Sequence, residues 1–135
     1  MTDHDILISF QEIRILLYVR GVREIEGIYM PEHKYTDKEV VDNLYGMVKN
    51  NFISVENEEF VPRKDLEKIL KVMSQAEKTF ILDPYFCYEL EDSVVVCERY
   101  WKKKEMLRIQ IFTREEFEAW KYENELNETL NQVIY

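Results

Sequence analysis

The sequence predicts an α+β fold, with helices in the first half, a β-rich middle and a closing helix. Three observations predict it. One helix-start signal is written three times: Ser9-Phe10-Gln11-Glu12, Thr36-Asp37-Lys38-Glu39 and Thr113-Arg114-Glu115-Glu116. In each, a hydroxyl at the cap and a Glu three residues later satisfy orphan backbone donors reciprocally. An apolar residue before each cap faces another four beyond it: Ile8 with Ile13, Tyr35 with Val40, Phe112 with Phe117. Such a pair fixes the entry angle of the chain. The second observation is helical spacing of apolar residues through the first half, and the third is a change to a period of two in the second half.

The elements follow in order. Ser9 to Arg20 reads as helix 1, with Phe10, Ile13, Leu16 and Leu17 as its stripe and Gly21 as its stop. Val22 to Tyr29 reads either as a short extended segment or as a turn of helix, and Pro31 marks a break. Helix 2 runs from Thr36 to about Asn50, with Val40, Val41, Leu44, Met47 and Val48 on one face. Gly46 inside it costs helix stability and reads as an allowance for close packing. Phe52 to Val55 and Glu59 to Val61 flank an acidic turn, a short hairpin pattern. Pro62 suits the first turn of helix 3, whose stripe is Leu66, Ile69, Leu70, Met73 and Ala76.

Two helices, a hairpin and a further helix make the first half winged-helix-like, with an altered order. In an ordinary winged helix the third helix precedes the wing. Here either residues 22 to 30 supply an early helix or the motif is a variant. Beyond residue 79, Phe86, Tyr88 and Leu90 alternate with Cys87 and Glu89. Val94 and Val96 alternate with Val95 and Cys97, and Leu107, Ile109 and Ile111 with Arg108 and Gln110. This is an antiparallel three-stranded meander, with Thr79 to Leu82 as a fourth strand and turns at Glu91-Asp92 and Trp101 to Lys104. The closing helix starts at Thr113 and buries Phe117 and Trp120. Leu126, Leu130, Val133 and Ile134 continue at helical spacing on a shifted face. The expectation is one domain over 1–135, winged-helix-like over 1–78 and sheet plus helix over 79–135.

Length and composition limit the function classes. A chain of 135 residues, 46% apolar with 3 Gly and 3 Pro, supports a real core and few flexible linkers. No stretch approaches the roughly 20 apolar residues of a membrane span. Met1-Thr2-Asp3-His4-Asp5 is acidic where a secretory leader is basic, so a cytoplasmic location is expected. Cys87 and Cys97 fall in neighbouring strands where they could face each other, but a reducing compartment favours free thiols. The net charge of −9 repels nucleic-acid phosphates.

Candidate sites are few. No phosphate loop, dinucleotide fingerprint, zinc-protease helix or nucleophile elbow is present, and no spacing of Cys and His suits a metal. His33 beside Glu32 reads as a solvated loop histidine, because sequence neighbours seldom converge on one substrate. No cofactor is implied. Lys102-Lys103-Lys104, after Tyr100 and Trp101, reads as a charged hairpin tip that blocks edge pairing. Helix 3 carries Arg63, Lys64, Lys68 and Lys71 against Asp65, Glu67 and Glu77, mostly an alternation of paired charges on a solvated face. The hairpin's Glu56, Glu58 and Glu59 have the wrong sign for a wing that touches phosphate. What remains is aromatic excess: nine Tyr, seven Phe and two Trp. Such side chains add contact area at little entropy cost. Tyr85, Tyr88, Tyr100 and Trp101 are the surface candidates. The Leu126, Leu130 and Ile134 stripe is another, by a helix-in-groove mode.

One resemblance sharpens this. Glu12, Ile13, Leu16, Leu17, Gly21, Ile25, Gly27, Leu44, Phe52 and Ile53 lie in a pattern that resembles the opening of the EspG-type chaperones of type VII secretion systems and their small Gram-positive relatives. The resemblance covers the first half and is mostly hydrophobic pattern, and this chain is much shorter than the full family. It implies a non-enzymatic cytosolic protein that binds a helical-hairpin secretion substrate. The expected function is therefore a protein-binding chaperone or adaptor with a protein partner and no membrane, alone or as a homodimer. The alternative is a winged-helix transcription regulator binding DNA.

Overall fold

In a computed structural model the chain is described over residues 5–32, 34–99 and 105–126. Its centre is a five-stranded antiparallel sheet in the order β1-β7-β6-β5-β4. The strands are β1 (Ile6–Ser9), β4 (Lys78–Leu82), β5 (Tyr85–Leu90), β6 (Ser93–Arg99) and β7 (Met106–Thr113). Between β1 and β4 the chain makes helices α1 (Phe10–Val19), α2 (Asp37–Lys49) and α3 (Lys64–Gln75), with the hairpin β2 (Ile53–Glu56) and β3 (Glu59–Pro62) before α3. Helix α4 (Arg114–Glu123) follows β7.

The fold is α+β as expected, with the meander β4–β7 and the closing helix in place. The expected hairpin is present as β2–β3, but the winged-helix order and the mainly helical first half are not matched. Ile6-Leu7-Ile8-Ser9 forms a strand whose Ile6 and Ile8 pair with Ile109 and Leu107 of β7. The two halves on either side of residue 78 therefore share one sheet. No helix fills residues 22–30, where an isolated bridge joins Ile25 to Ile28.

Three helices carry the predicted caps. Ser9, Thr36 and Thr113 each accept from the N3 backbone, while Glu12, Glu39 and Glu116 reach back to the cap N–H. The same three helices end alike. Val22, Phe52 and Leu126 donate to the carbonyls of Leu17, Met47 and Lys121. Gly21, Asn51 and Glu125, all at positive φ, donate to Tyr18, Val48 and Tyr122. These are Schellman closures, which satisfy the last carbonyls and turn the chain sharply. Helix α3 has no side-chain cap: its N-cap is Arg63, and Pro62 ends β3 instead of opening the helix. What holds α3 is its inner face, where Leu66, Ile69, Leu70, Val72 and Met73 are buried.

Alternation along the strands makes two cores. On one face Tyr88, Val95, Cys97, Leu107 and Ile109 pack with Ile13, Leu16 and Leu17 of α1, Met47 of α2 and the apolar face of α3. On the other, Phe80, Leu82, Cys87, Val94 and Val96 pack under Phe117 of α4. The thiols are thus buried on opposite faces, so Cys87 and Cys97 do not face each other and no disulfide joins them. Cβ space beside Gly46 is open to 4 Å, so that glycine serves no close approach.

Candidate partner-binding surface

The sequence-derived surface residues separate on inspection. Tyr88 is 1% exposed and donates its hydroxyl hydrogen bond to the Glu26 carbonyl, tying the 20–36 connection to the sheet. It is a core residue, because the strand face it shares with Val95 is covered by helices. Tyr85 is half-buried, with its ring edge-on to Trp120 at 4.9 Å. Leu126 lies past the end of α4, half-buried against the second core, where the Schellman turn places it. It does not continue a helical stripe. Tyr100, Trp101, Lys102, Lys103, Lys104, Leu130, Ile134, His4 and His33 lie outside the described residues.

Several polar groups of the sheet pair with one another. Arg108 donates to Glu98, its cross-strand neighbour, and Gln110 donates to Asp5 at 2.9 Å. Tyr85 stands opposite Glu98 in the same row. Burial first, then the Glu98 carboxylate, raise the Tyr85 hydroxyl above the ordinary tyrosine range, against the pull of Arg108. Glu89, 8% exposed, accepts from Arg114 at the start of α4 and so ties that helix to β5. Burial, then the neighbouring Cys87, push the Cys97 thiol far up, which makes it a poor nucleophile. No group of three or more His, Cys, Asp and Glu able to hold a metal occurs among the described residues. An open hollow of about 620 Å³ lies where α1 and α3 end. Its guanidiniums are occupied: Arg20 pairs with Glu67 at 2.8 Å, and Arg23 lies 4.2 Å over the Tyr18 ring.

An exposed apolar surface lies elsewhere, on α2 and the β2–β3 hairpin. Val41 and Tyr45 are one turn apart on α2, 41% and 53% exposed. The Tyr45 ring meets Phe60 of β3 edge-on at 5.1 Å. Phe60 stands opposite Val55 of β2, itself 48% exposed. Because Phe60 lies near the tip yet reaches Tyr45, a turn back from Lys49, the hairpin folds back beside α2. The result is an apolar strip of Val41, Tyr45, Phe60 and Val55 along α2 and the hairpin.

This strip was not among the sequence candidates, although α2 carried a signal for it. At about 100° per residue, the apolar positions from Met47 through Leu44, Val48 and Val41 to Tyr45 sweep roughly 160°, wider than the stripe one core contact needs. Leu44 and Met47 take the buried part, and Val41 and Tyr45 are the surplus.

Comparison with known protein families, curated proteins and solved structures finds no match.

Proposed function

We propose that this chain is a non-enzymatic protein-binding chaperone or adaptor. The observation that carries the reading is the exposed strip of Val41, Tyr45, Val55 and Phe60. Aromatic and branched side chains set between a helix and a hairpin suit a protein contact better than a solvated face. The polar groups of the sheet support the same reading, since one carboxylate oxygen of each of Glu89 and Glu98 is paired with an arginine. The EspG-type resemblance of the first half extends the proposal to a helical-hairpin secretion substrate held in the cytoplasm.

A second reading, a DNA-binding regulator, draws on α3. Its exposed Lys64, Lys68 and Lys71 form one stripe without an ion pair among the described residues, while Asp65 and Glu67 are paired with Arg63 and Arg20. Three lysines give few phosphate contacts against a net charge of −9, so protein binding is preferred.

The test is affinity capture from native cytosol after nuclease treatment, with mass spectrometry. A stoichiometric protein partner lost on Tyr45→Asp is expected. Recovery of no protein, with specific DNA retained in an untreated sample and lost on neutralising Lys64, Lys68 and Lys71, would replace this reading with the regulator.

A further inference from the structure

We infer that the strip between α2 and the hairpin docks a cationic amphipathic segment of a second protein, with apolar anchors on Tyr45 and Phe60 and lysines or arginines around the hairpin tip. The inference rests on the protein-binding reading and adds the sign and chemistry of the partner.

Charge on and around the strip decides this. The hairpin turn reads Glu56-Asn57-Glu58-Glu59, all exposed. None of the three carboxylates makes an ion pair among the described residues, and Glu56 accepts only from the Ser54 hydroxyl. Some acidic side chains elsewhere are matched, Asp42 by Lys38, Asp65 by Arg63, Glu67 by Arg20 and Glu118 by Lys121. Others such as Asp83 and Glu123 make no ion pair among the described residues, so what sets the tip apart is its place beside the apolar strip. The tip is thus an unmatched anionic end bordering an apolar face. Val55 and Phe60 share that face, and the period of two turns Glu56 and Glu59 to its reverse, with Glu58 at the end.

Lysine and arginine suit such an edge. Their stems lie on apolar surface while the charged head reaches past it into water. A wholly apolar segment would leave the carboxylates unmatched, and an acidic one would be repelled. A nucleic acid is repelled for the same reason. A second copy of this chain would bring an equal net charge of −9 to the contact.

The experiment titrates the isotope-labelled full chain with a synthetic amphipathic Leu/Lys peptide of about 18 residues, five helical turns. The comparison peptide has Glu at every Lys. The expected result is resonance shifts at Val41, Tyr45, Val55, Phe60 and Glu58, with the Leu/Lys peptide binding at least roughly tenfold tighter than Leu/Glu. Tyr45→Asp and Val55→Asp, each at an exposed site, should abolish the shifts with the fold intact by circular dichroism. Glu56→Gln with Glu58→Gln and Glu59→Gln should weaken binding and flatten its salt dependence. A charge-matched control, Glu115→Gln with Glu123→Gln and Glu125→Gln on and after α4, should not.

Equal weakening by the control triple would reduce the effect to bulk charge and overturn the inference. Shifts confined to other residues, or equal binding of the two peptides, would also overturn it. So would concentration-dependent shifts of the strip without peptide, which would place a second copy there. Native capture keeps the two proposals separate. A recovered partner with no peptide preference sinks only the cationic assignment, whereas no recovered protein sinks the adaptor reading and the inference that rests on it.

Discussion

Gly27→Ala is expected to destabilise the protein by about 3 kcal/mol, most of it from one close approach. Gly27 has a φ of 85°, and a Cβ built there would lie 2.8 Å from Cδ1 of Phe86 and 2.9 Å from the Tyr88 hydroxyl. The left-handed backbone alone costs an L-residue about 1–2 kcal/mol. Overpacking against a ring held in the core adds about 1–3 kcal/mol. The smaller conformational freedom of unfolded Ala returns about 0.4–1 kcal/mol. Gly21 separates these contributions, because it has a φ of 91° with nothing within 4 Å of its Cβ. Gly21→Ala should therefore cost about 1 kcal/mol, the backbone component alone. Gly46→Ala, inside α2 with the same open space, should stabilise by about 1 kcal/mol. Urea unfolding of the three variants, read as midpoints at constant slope, measures all of this. A Gly27→Ala cost within about 0.5 kcal/mol of Gly21→Ala would refute the claim that residues 26 and 27 are clamped onto Phe86 and Tyr88.

Four further outcomes are expected. Cys87 and Cys97 are both buried, so a thiol reagent should label them only at the rate of unfolding; fast labelling of the native chain would contradict that burial. Burial raises the Tyr35 and Tyr85 hydroxyls above 10.0. Their contribution is therefore complete below pH 10 and lost as pH rises through the folded values, so Tyr35→Phe with Tyr85→Phe should flatten the alkaline limb of a stability–pH curve. Thr36→Ala should cost about 1 kcal/mol by loss of the α2 cap, measured by chemical denaturation. Phe117→Ala, which empties the only fully buried α4 position, should cost about 3–5 kcal/mol in the same assay.

Local signals in the sequence carried most of the architecture. The three capping boxes located α1, α2 and α4 to within a residue, because each is a reciprocal bond set fixed by short-range geometry. The meander was legible from its period of two. The start of α3 was not, since Pro62 is equally suited to the end of an edge strand, which is where it stands. Strand β1 was missed for a different reason. Its four residues end in the cap Ser9 itself, so Ile8 reads as the staple to Ile13 while also pairing with Leu107, about a hundred residues away. A short apolar run cannot announce a partner so distant.

The surface was the least legible part, and Tyr45 and Tyr88 show why. Composition counts them alike. Tyr88 lies on a central strand whose two faces are both covered, so its ring is core and its hydroxyl must find a carbonyl, which Glu26 supplies. Tyr45 lies on a helix held through Leu44 and Met47, with Val40 and Val48 half-buried beside them, so its ring is left at the rim with Phe60. Exposure is set by how many elements a side chain's own element must pack against, a property of the assembled layers. The feature that survives at the level of sequence is surplus. An apolar arc wider than its core contact requires is local enough to be read before the layers are known, and on α2 that arc includes Val41 and Tyr45, whereas the pairing of Tyr45 with Phe60 and the unmatched carboxylates of the hairpin appear only once the layers are assembled.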